Sequence, residues 1–162
     1  MQLELIFKFI VLLAIANGTP VIAKRLLGRF LAYPLDADKA FVDGRPLLGR
    51  SKTIRGILVS VIATSLCAPL LGLAWTTGFL ISVAAMAGDL FSSFIKRRIG
   101  YPPSSQALGL DQIPESLFPA LACMSLLALT LADVIFIVAL FSVGNLIVSQ
   151  LLFKIRLRDE PH

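Results

Sequence analysis

The hydrophobic positions of this 162-residue chain fall into five long runs with few charges inside them. A helix needs roughly 20 mostly apolar residues to cross a hydrocarbon core about 30 Å thick, and each run comes close to that length. The pattern predicts an all-α integral membrane protein, with one domain over residues 1–162 and five transmembrane helices at residues 5–23, 57–73, 79–95, 117–131 and 134–153.

Composition supports a membrane protein. Hydrophobic residues make up 57% of the chain and charged residues only 15%, whereas ordinary globular domains have about 25% charged residues. Glu4 precedes the first run, where a cleavable signal peptide would carry basic residues, so we expect the first run to stay as a helix.

The basic residues predict the orientation. All but Lys8 lie within residues 24–55, 96–98 and 154–158, and short cytoplasmic loops carry the excess of Lys and Arg. We therefore expect a multi-pass protein of the cytoplasmic (inner) cell membrane, with its N-terminus outside and its C-terminus in the cytoplasm. A one-sided charge of this kind indicates no nucleic-acid partner, and no protein partner is evident. The alternative without a specific function is that the basic residues only set the membrane topology and contact anionic lipid.

Two cytoplasmic loops, about 24–53 and 100–113, separate the runs and are long enough to be functional. Asn17 to Pro20 interrupts the first run near its cytoplasmic end. This interruption predicts either a functional break at membrane depth or a helix that simply ends at Asn17.

Asp89 is the strongest single candidate for chemistry. It lies in the third run, seven residues before Lys96, and a carboxylate at that depth is costly. Asp89, Ser92, Ser93 and Lys96 are spaced so that they share one helix face, which needs a polar partner. The partner is either a lysine or arginine of a neighbouring helix, or a metal ion or proton path.

Asp111 precedes the fourth run and is the second candidate acid. It is either a helix-capping or loop residue, or it folds back to meet Asp89. Two such carboxylates suit Mg²⁺, which usually takes one or two protein carboxylates together with water and substrate phosphate. Glu115 is most simply an acid that compensates the helix dipole.

The segment DGRPLLGRSKTIRG, residues 43–56, has the glycine spacing of a P-loop. We reject a P-loop because no βαβ unit surrounds it. Its glycines, arginines and lysine still suit a polyanion, and it leads directly into a helix whose N-terminal amides attract anions. The lone histidine, His162, is terminal, which argues against histidine-based catalysis.

DGRPLLGRSKTIRG (43–56), with Pro-Leu-Asp at 34–36 before it, and GDLFSSFIKRRIG (88–100), with Leu-Asp-Gln at 110–112 after it, resemble the CDP-archaeol synthase family. That family is distantly similar to the phosphatidate cytidylyltransferases. The resemblance covers residues 17–112. It implies a five-span enzyme that uses CTP and Mg²⁺ to convert a membrane-embedded phosphorylated glycerolipid, archaetidic-acid-like or phosphatidic acid, into its CDP-activated form and pyrophosphate at the cytoplasmic face.

Carried over residue by residue, the resemblance implies catalytic, nucleotide-binding, metal and lipid-binding positions. The catalytic positions are Lys52, Arg55, Asp89 and Asp111, of which Asp89 and Asp111 hold the metal. Asn17 and Ser93 are expected to contact the lipid substrate. The expected nucleotide-binding residues are Asp43, Gly44, Arg45, Gly49, Lys52, Thr53, Gly56, Lys96, Arg97 and Arg98.

Two other functions were weighed. A CDP-alcohol phosphotransferase needs acids at four-residue spacing on one helix face, but Ala85 and Ser93 flank Asp89 at that spacing. A non-enzymatic transporter or assembly factor, whose basic loops only set topology, is left open by hydropathy alone.

Overall fold

The computed structural model describes residues 2–28, 30–102, 105, 107 and 109–154. Arg29, Arg156, Arg158 and His162 lie outside the described residues. Within the described part the fold is all-helical, as predicted, and no strand forms beyond two isolated bridges. In these described residues a 3-10 turn, Pro69–Leu71, follows the second of five α-helices: α1 (Leu3–Leu27), α2 (Ile54–Cys67), α3 (Trp75–Arg98), α4 (Gln112–Ala122) and α5 (Leu131–Lys154).

Three described segments are long and apolar enough to cross a membrane: Leu3–Leu27, Ile54–Leu71 and Trp75–Arg98.

The helix nearest the predicted fourth run differs from the prediction. α4 has only 11 residues, about 16 Å of helix, and turns follow it as far as Ala128. Hydropathy misplaced it because its first turn is polar yet buried against α3.

The hydrophobic core lies between α1, α3 and α5. α1 contributes a buried stripe that includes Ile6, Phe9 and Leu13, and Ile81 of α3 and Ile137 of α5 belong to the same cluster. Large apolar side chains also cover the outside of the bundle. A bundle that is apolar on both its inner and outer sides is typical of helices surrounded by lipid.

α1 continues straight through the predicted interruption at Asn17 to Pro20, so both predicted outcomes are wrong. Pro20 has no N–H, and the carbonyl of Ala16 therefore loses its usual helical donor. The hydroxyl of Ser60 on α2 donates to that carbonyl at 2.7 Å. Asn17 and Thr19 turn back on their own helix and donate to backbone carbonyls one turn earlier. Satisfied backbone groups allow the helix to continue at membrane depth.

α3 approaches its neighbours most closely at two glycines. A Cβ at Gly78 would lie 2.5 Å from the carbonyl oxygen of Thr64 on α2. A Cβ at Gly88 would lie 2.2 Å from the carbonyl oxygen of Pro114 and 2.9 Å from the backbone nitrogen of Glu115. Only glycine permits this contact, which sets the first turn of α4 directly beside Asp89.

The two ends of the bundle differ in character. At one end the Gln2 side chain donates to the carbonyl of Ala128 at 3.4 Å, and Lys8 lies near Gly72. At the other end residues 30–53 fold over the C-terminus of α3. The described parts of the two loops predicted to be cytoplasmic, about 24–53 and 100–113, thus lie at one end.

We predict that Ser60→Ala destabilises the bundle because it leaves the buried carbonyl of Ala16 without a donor, at a cost of about 1–3 kcal/mol. The measurement is the apparent unfolding temperature of the purified protein in detergent. Pro20→Ala provides the control, since it restores the backbone N–H that α1 lacks. In the Pro20→Ala background the Ser60→Ala change should cost much less, and an equal cost in both backgrounds would contradict the assignment.

Candidate active site

The polar face predicted on α3 is buried against the start of α4. Ser92, Ser93 and Lys96 are almost completely buried, and Asp89 lies two turns deeper than Lys96 on the same face. The helix presents this face inward because its apolar residues cover the remaining sides. The expectation that this face has a polar partner is confirmed.

Asp89 pairs with Lys52, which comes from the loop just before α2. The Lys52 ammonium lies 2.5 Å from one carboxylate oxygen of Asp89 and 2.6 Å from the other. Both side chains are about one-fifth exposed. The ion pair joins two residues predicted to be catalytic, and it ties the loop to the middle of the bundle.

Asp111 pairs with the second lysine of the site. Its Oδ1 lies 2.7 Å from the ammonium of Lys96, and its Oδ2 accepts a hydrogen bond from the backbone N–H of Ala107 at 3.0 Å. The Asp111 side chain makes no capping bond to α4. Asp111 therefore makes a hydrogen bond within its own loop and an ion pair with α3, and its meeting with Asp89 stays a prediction.

Glu115 is a third acid near Asp89 and Asp111, and its burial was not predicted from the sequence. Only 9% of it is exposed, and Asp89, Lys52 and Asp111 are close enough to interact with its carboxyl electrostatically. The sequence signal that could have indicated this position is the four-residue spacing from Asp111, because residues 111 and 115 share one helix face.

Arg97 supplies a buried cation with unused hydrogen-bond donors. The residue is 3% exposed, and its Nε and Nη1 have no hydrogen-bond partner within the described part of the chain. Asp111 is near enough to attract it electrostatically. Because a buried guanidinium without acceptors is costly, these nitrogens suit an incoming anion.

Asp36 organises the loop that carries Lys52. Its carboxylate accepts hydrogen bonds from the backbone N–H groups of Leu48 and Gly49, both at 2.9 Å, and Gly49 adopts φ +95°, which favours glycine. Burial by itself would raise the pKa of Asp36, but these bonds and one from the backbone of Asp38 outweigh burial and lower the pKa. In the sequence Asp36 stood out only as the last residue of Pro-Leu-Asp at 34–36, and no role was predicted for it.

A second set of contacts fastens the loop to the C-terminus of α3. The Arg98 guanidinium pairs with Asp43 and lies over the rings of Phe41 and Phe94, at 4.7 and 5.1 Å from their centroids. Arg45 donates to the backbone carbonyls of Arg97 and Arg98 at the helix end. These residues make structural contacts here, and their predicted contact with a nucleotide stays a prediction.

The remaining predicted residues lie around the start of α2. Arg55 donates to the carbonyls of Gly28 and Phe30, just after α1, and Thr53 caps α2 by accepting from the N–H of Gly56 at 3.2 Å. The structure thus places near one another five of the predicted site residues, Lys52, Asp89, Lys96, Arg97 and Asp111. Their predicted catalytic, metal-binding and nucleotide-binding roles stay predictions. The structure does not add Asn17, Gly44, Gly49 or Arg55 to that cluster.

Two carboxylates of the cluster are the kind of ligand that Mg²⁺ prefers. Asp89 and Asp111 offer hard oxygen ligands, and the Lys52 ammonium already sits against both oxygens of Asp89, where a cation is favoured. In the described residues no three His, Cys, Asp or Glu side chains form a metal cage. An ion held by carboxylates alone would therefore complete its shell with water and phosphate oxygens, as Mg²⁺ commonly does.

The structure is thus a helical bundle with three segments long and apolar enough to cross a membrane and with a charged, half-buried cluster at one end. A family profile described as CarS-like, CDP-archaeol synthase, matches residues 2–162. The chain belongs to the CDP-archaeol synthase family, and it is a cytidylyltransferase of lipid biosynthesis. Membership of an enzyme family does not favour the alternative that the protein is a non-enzymatic transporter or assembly factor.

Individual relatives agree with the family match. The CDP-archaeol synthase of Sulfurisphaera tokodaii is 33% identical over 91% of this chain and 89% of its own length. That of Pyrobaculum calidifontis is 36% identical over 91% of this chain and 90% of its own. A solved structure, described as an intramembrane enzyme for archaeal membrane lipid biosynthesis, has a TM-score of 0.76 and 31% identity, covering 87% of this chain and 90% of the other.

We predict that Asp36→Asn loosens the loop, because the carboxylate that accepts the N–H groups of Leu48 and Gly49 loses its charge. Hydrogen exchange at those two amides should accelerate about 10- to 100-fold, as expected for losing bonds to a charged group. Asp38→Asn is the matched control, since Asp38 pairs with Arg50 in an exposed contact. Equal acceleration in both variants would contradict the assignment.

The same carboxylate predicts a pH dependence. The folded-state pKa of Asp36 lies below its ordinary value of 3.8, so its contribution is fully present above that value and is lost as the pH falls through the folded-state pKa. Protection of the Leu48 and Gly49 amides should fall over that acidic range in the wild type and be absent from the Asp36→Asn profile.

Proposed function

We propose that this protein transfers CMP from CTP to the phosphate of an archaeal ether-linked glycerolipid, giving CDP-lipid and pyrophosphate. The observation that carries the proposal is the cluster around α3, in which two lysine–aspartate pairs lie beside Arg97, whose Nε and Nη1 have no hydrogen-bond partner among the described residues. Such a cluster offers carboxylates for a metal and cations for a triphosphate within one buried face.

An oxygen of the lipid phosphate attacks the α-phosphorus of CTP, and the bond from that phosphorus to the oxygen bridging to the β-phosphate breaks. Bound Mg²⁺ would neutralise charge on the phosphates. Asp89 and Asp111 would hold it, while Lys52, Lys96 and Arg97 orient the triphosphate and stabilise the leaving pyrophosphate. No general base is required, since the second pKa of a phosphate monoester is about 6.

The orientation that suits this chemistry has five spans, with the N-terminus outside and the site on the cytoplasmic side of the cell membrane. CTP reaches that side from the cytosol, and basic residues are concentrated there. α4 together with the turns that follow it would complete the fourth crossing. The lipid phosphate would enter from the cytoplasmic leaflet between the helices.

We predict that purified protein with Mg²⁺ and CTP converts an ether-linked isoprenoid glycerol phosphate into its CDP-lipid, and converts phosphatidic acid less efficiently. The measurement is the appearance of CDP-lipid and pyrophosphate. Absence of CDP-lipid from both substrates would overturn the proposed function, and preference for phosphatidic acid would overturn the lipid class.

Asp89→Asn and Asp111→Asn should each lower kcat/KM by about 100-fold, the usual scale for losing one electrostatic stabiliser. Glu4→Gln is the matched control, because Glu4 is an exposed acid paired with Lys8 at the opposite end. Full activity of either aspartate variant would contradict the assigned roles.

We predict that Arg97→Met separates function from stability. Removing a buried guanidinium with two unpartnered nitrogens should leave the unfolding temperature unchanged or higher, yet raise the KM for CTP by about tenfold or more. Arg55→Met offers the contrast, since Arg55 donates to two backbone carbonyls and its loss should lower the unfolding temperature. An unchanged KM in Arg97→Met would exclude contact with the nucleotide.

A further inference from the structure

Lysines occupy both carboxylates that the proposed function assigns to the metal. Lys52 contacts both oxygens of Asp89 at 2.5 and 2.6 Å, and Lys96 contacts Asp111 at 2.7 Å. We propose that Lys52 and Lys96 are internal counter-ions that exclude a free divalent cation and release the carboxylates only to a metal–triphosphate complex. The inference rests on the proposed function and specifies which species the site accepts.

Direct competition follows from the distances. A Mg²⁺ ligand oxygen lies about 2.0–2.1 Å from the ion, so an ion on Asp89 would take the place that the Lys52 ammonium now holds. The displaced ammonium would remain in a mostly buried position without its partner. An uncompensated charge in such a position is strongly unfavourable, so a free ion gains little from binding.

A triphosphate removes that penalty because it supplies new acceptors for the lysines. Each ammonium has three donors on a flexible stem and can turn from a carboxylate to a phosphate oxygen. In the structure each of the two aspartates has a lysine partner. With the complex bound, the carboxylates would face the metal and the lysines would face phosphate, so these four charges keep an opposite partner in both states.

The exchange requires only side-chain movement. The backbone of Lys52 is fixed on both sides, since its carbonyl accepts from the N–H of Leu35 at 2.8 Å and its N–H donates to the carbonyl of Gly49 at 3.1 Å. Lys96 belongs to the last turns of α3. Metal and CTP would therefore bind cooperatively without rearranging the bundle, and each would raise the affinity of the other by the same factor.

Mn²⁺ alone is a suitable probe, since its free form is quantified by electron paramagnetic resonance. We expect the full-length wild-type protein in detergent to bind Mn²⁺ weakly. Lys52→Met should bind it about tenfold more tightly or better, within the usual range of coupling between sites. Lys8→Met is the matched control, because Lys8 forms a 2.6 Å ion pair with Glu4, is similarly exposed at 26%, and lies at the other end of the bundle.

Unchanged or weaker Mn²⁺ binding by folded Lys52→Met would overturn the proposal, because a lysine with a merely structural role does not compete with the metal. Should that variant fail to fold, Lys96→Met carries the same expectation. The wild type supplies a test without mutation: Mn²⁺ must bind about tenfold more tightly in the presence of CTP, and equal affinity with and without CTP overturns the proposal.

The outcomes separate this inference from the proposed function. If the wild type forms CDP-lipid but Lys52→Met does not gain Mn²⁺ affinity, the inference fails and the function stands. If Lys52→Met gains Mn²⁺ affinity but the wild type forms no CDP-lipid from either lipid phosphate, the lysines do compete with a divalent cation for the carboxylates and the proposed function fails.

Discussion

A carboxylate inside an apolar helical bundle needs a compensating charge, and the arrangement around Asp89 follows from that requirement. Lys52 provides the charge, and it can reach Asp89 only because residues 30–53 fold back over the end of α3. The fold-back in turn depends on Asp36 inside the loop and on Arg98 at the helix end. One buried acid thus accounts for why a polar loop is closely attached to a membrane bundle.

The same requirement governs the backbone. Pro20 would leave a carbonyl of α1 without a donor at membrane depth, and Ser60 supplies that donor from α2. α1 therefore stays helical as far as the loop, where Arg55 binds the carbonyls that follow its end. The positions of α1 and α2 relative to each other, and hence of Lys52 just before α2, depend on these polar contacts as well as on apolar packing.

Periodicity and charge predicted the helical class, the polar face of α3 and the pairing of that face with other charged groups. They did not predict the length of α4, because its buried first turn is polar and hydropathy registers only apolar residues. The role of Asp36 depends on backbone N–H groups 12 and 13 residues away, which no local pattern encodes. Glu115 was assigned to the helix dipole, since its burial depends on how closely α4 approaches Gly88.

The shortness of α4 has a structural consequence. Its first turn contacts Gly88, which is eight residues before Lys96 and so about 12 Å deeper along α3. Asp111 meanwhile reaches Lys96, near the end of α3. The polar face of α3 between these two contacts, with Ser92 and Ser93, is therefore covered along its length. Polar and charged groups thus continue from the loop at the end of the bundle inward to Asp89, where the Lys52 ammonium compensates the carboxylate. Because a charge inside an apolar bundle is costly without a partner, this continuous polar face allows a carboxylate to lie so far from the end of α3.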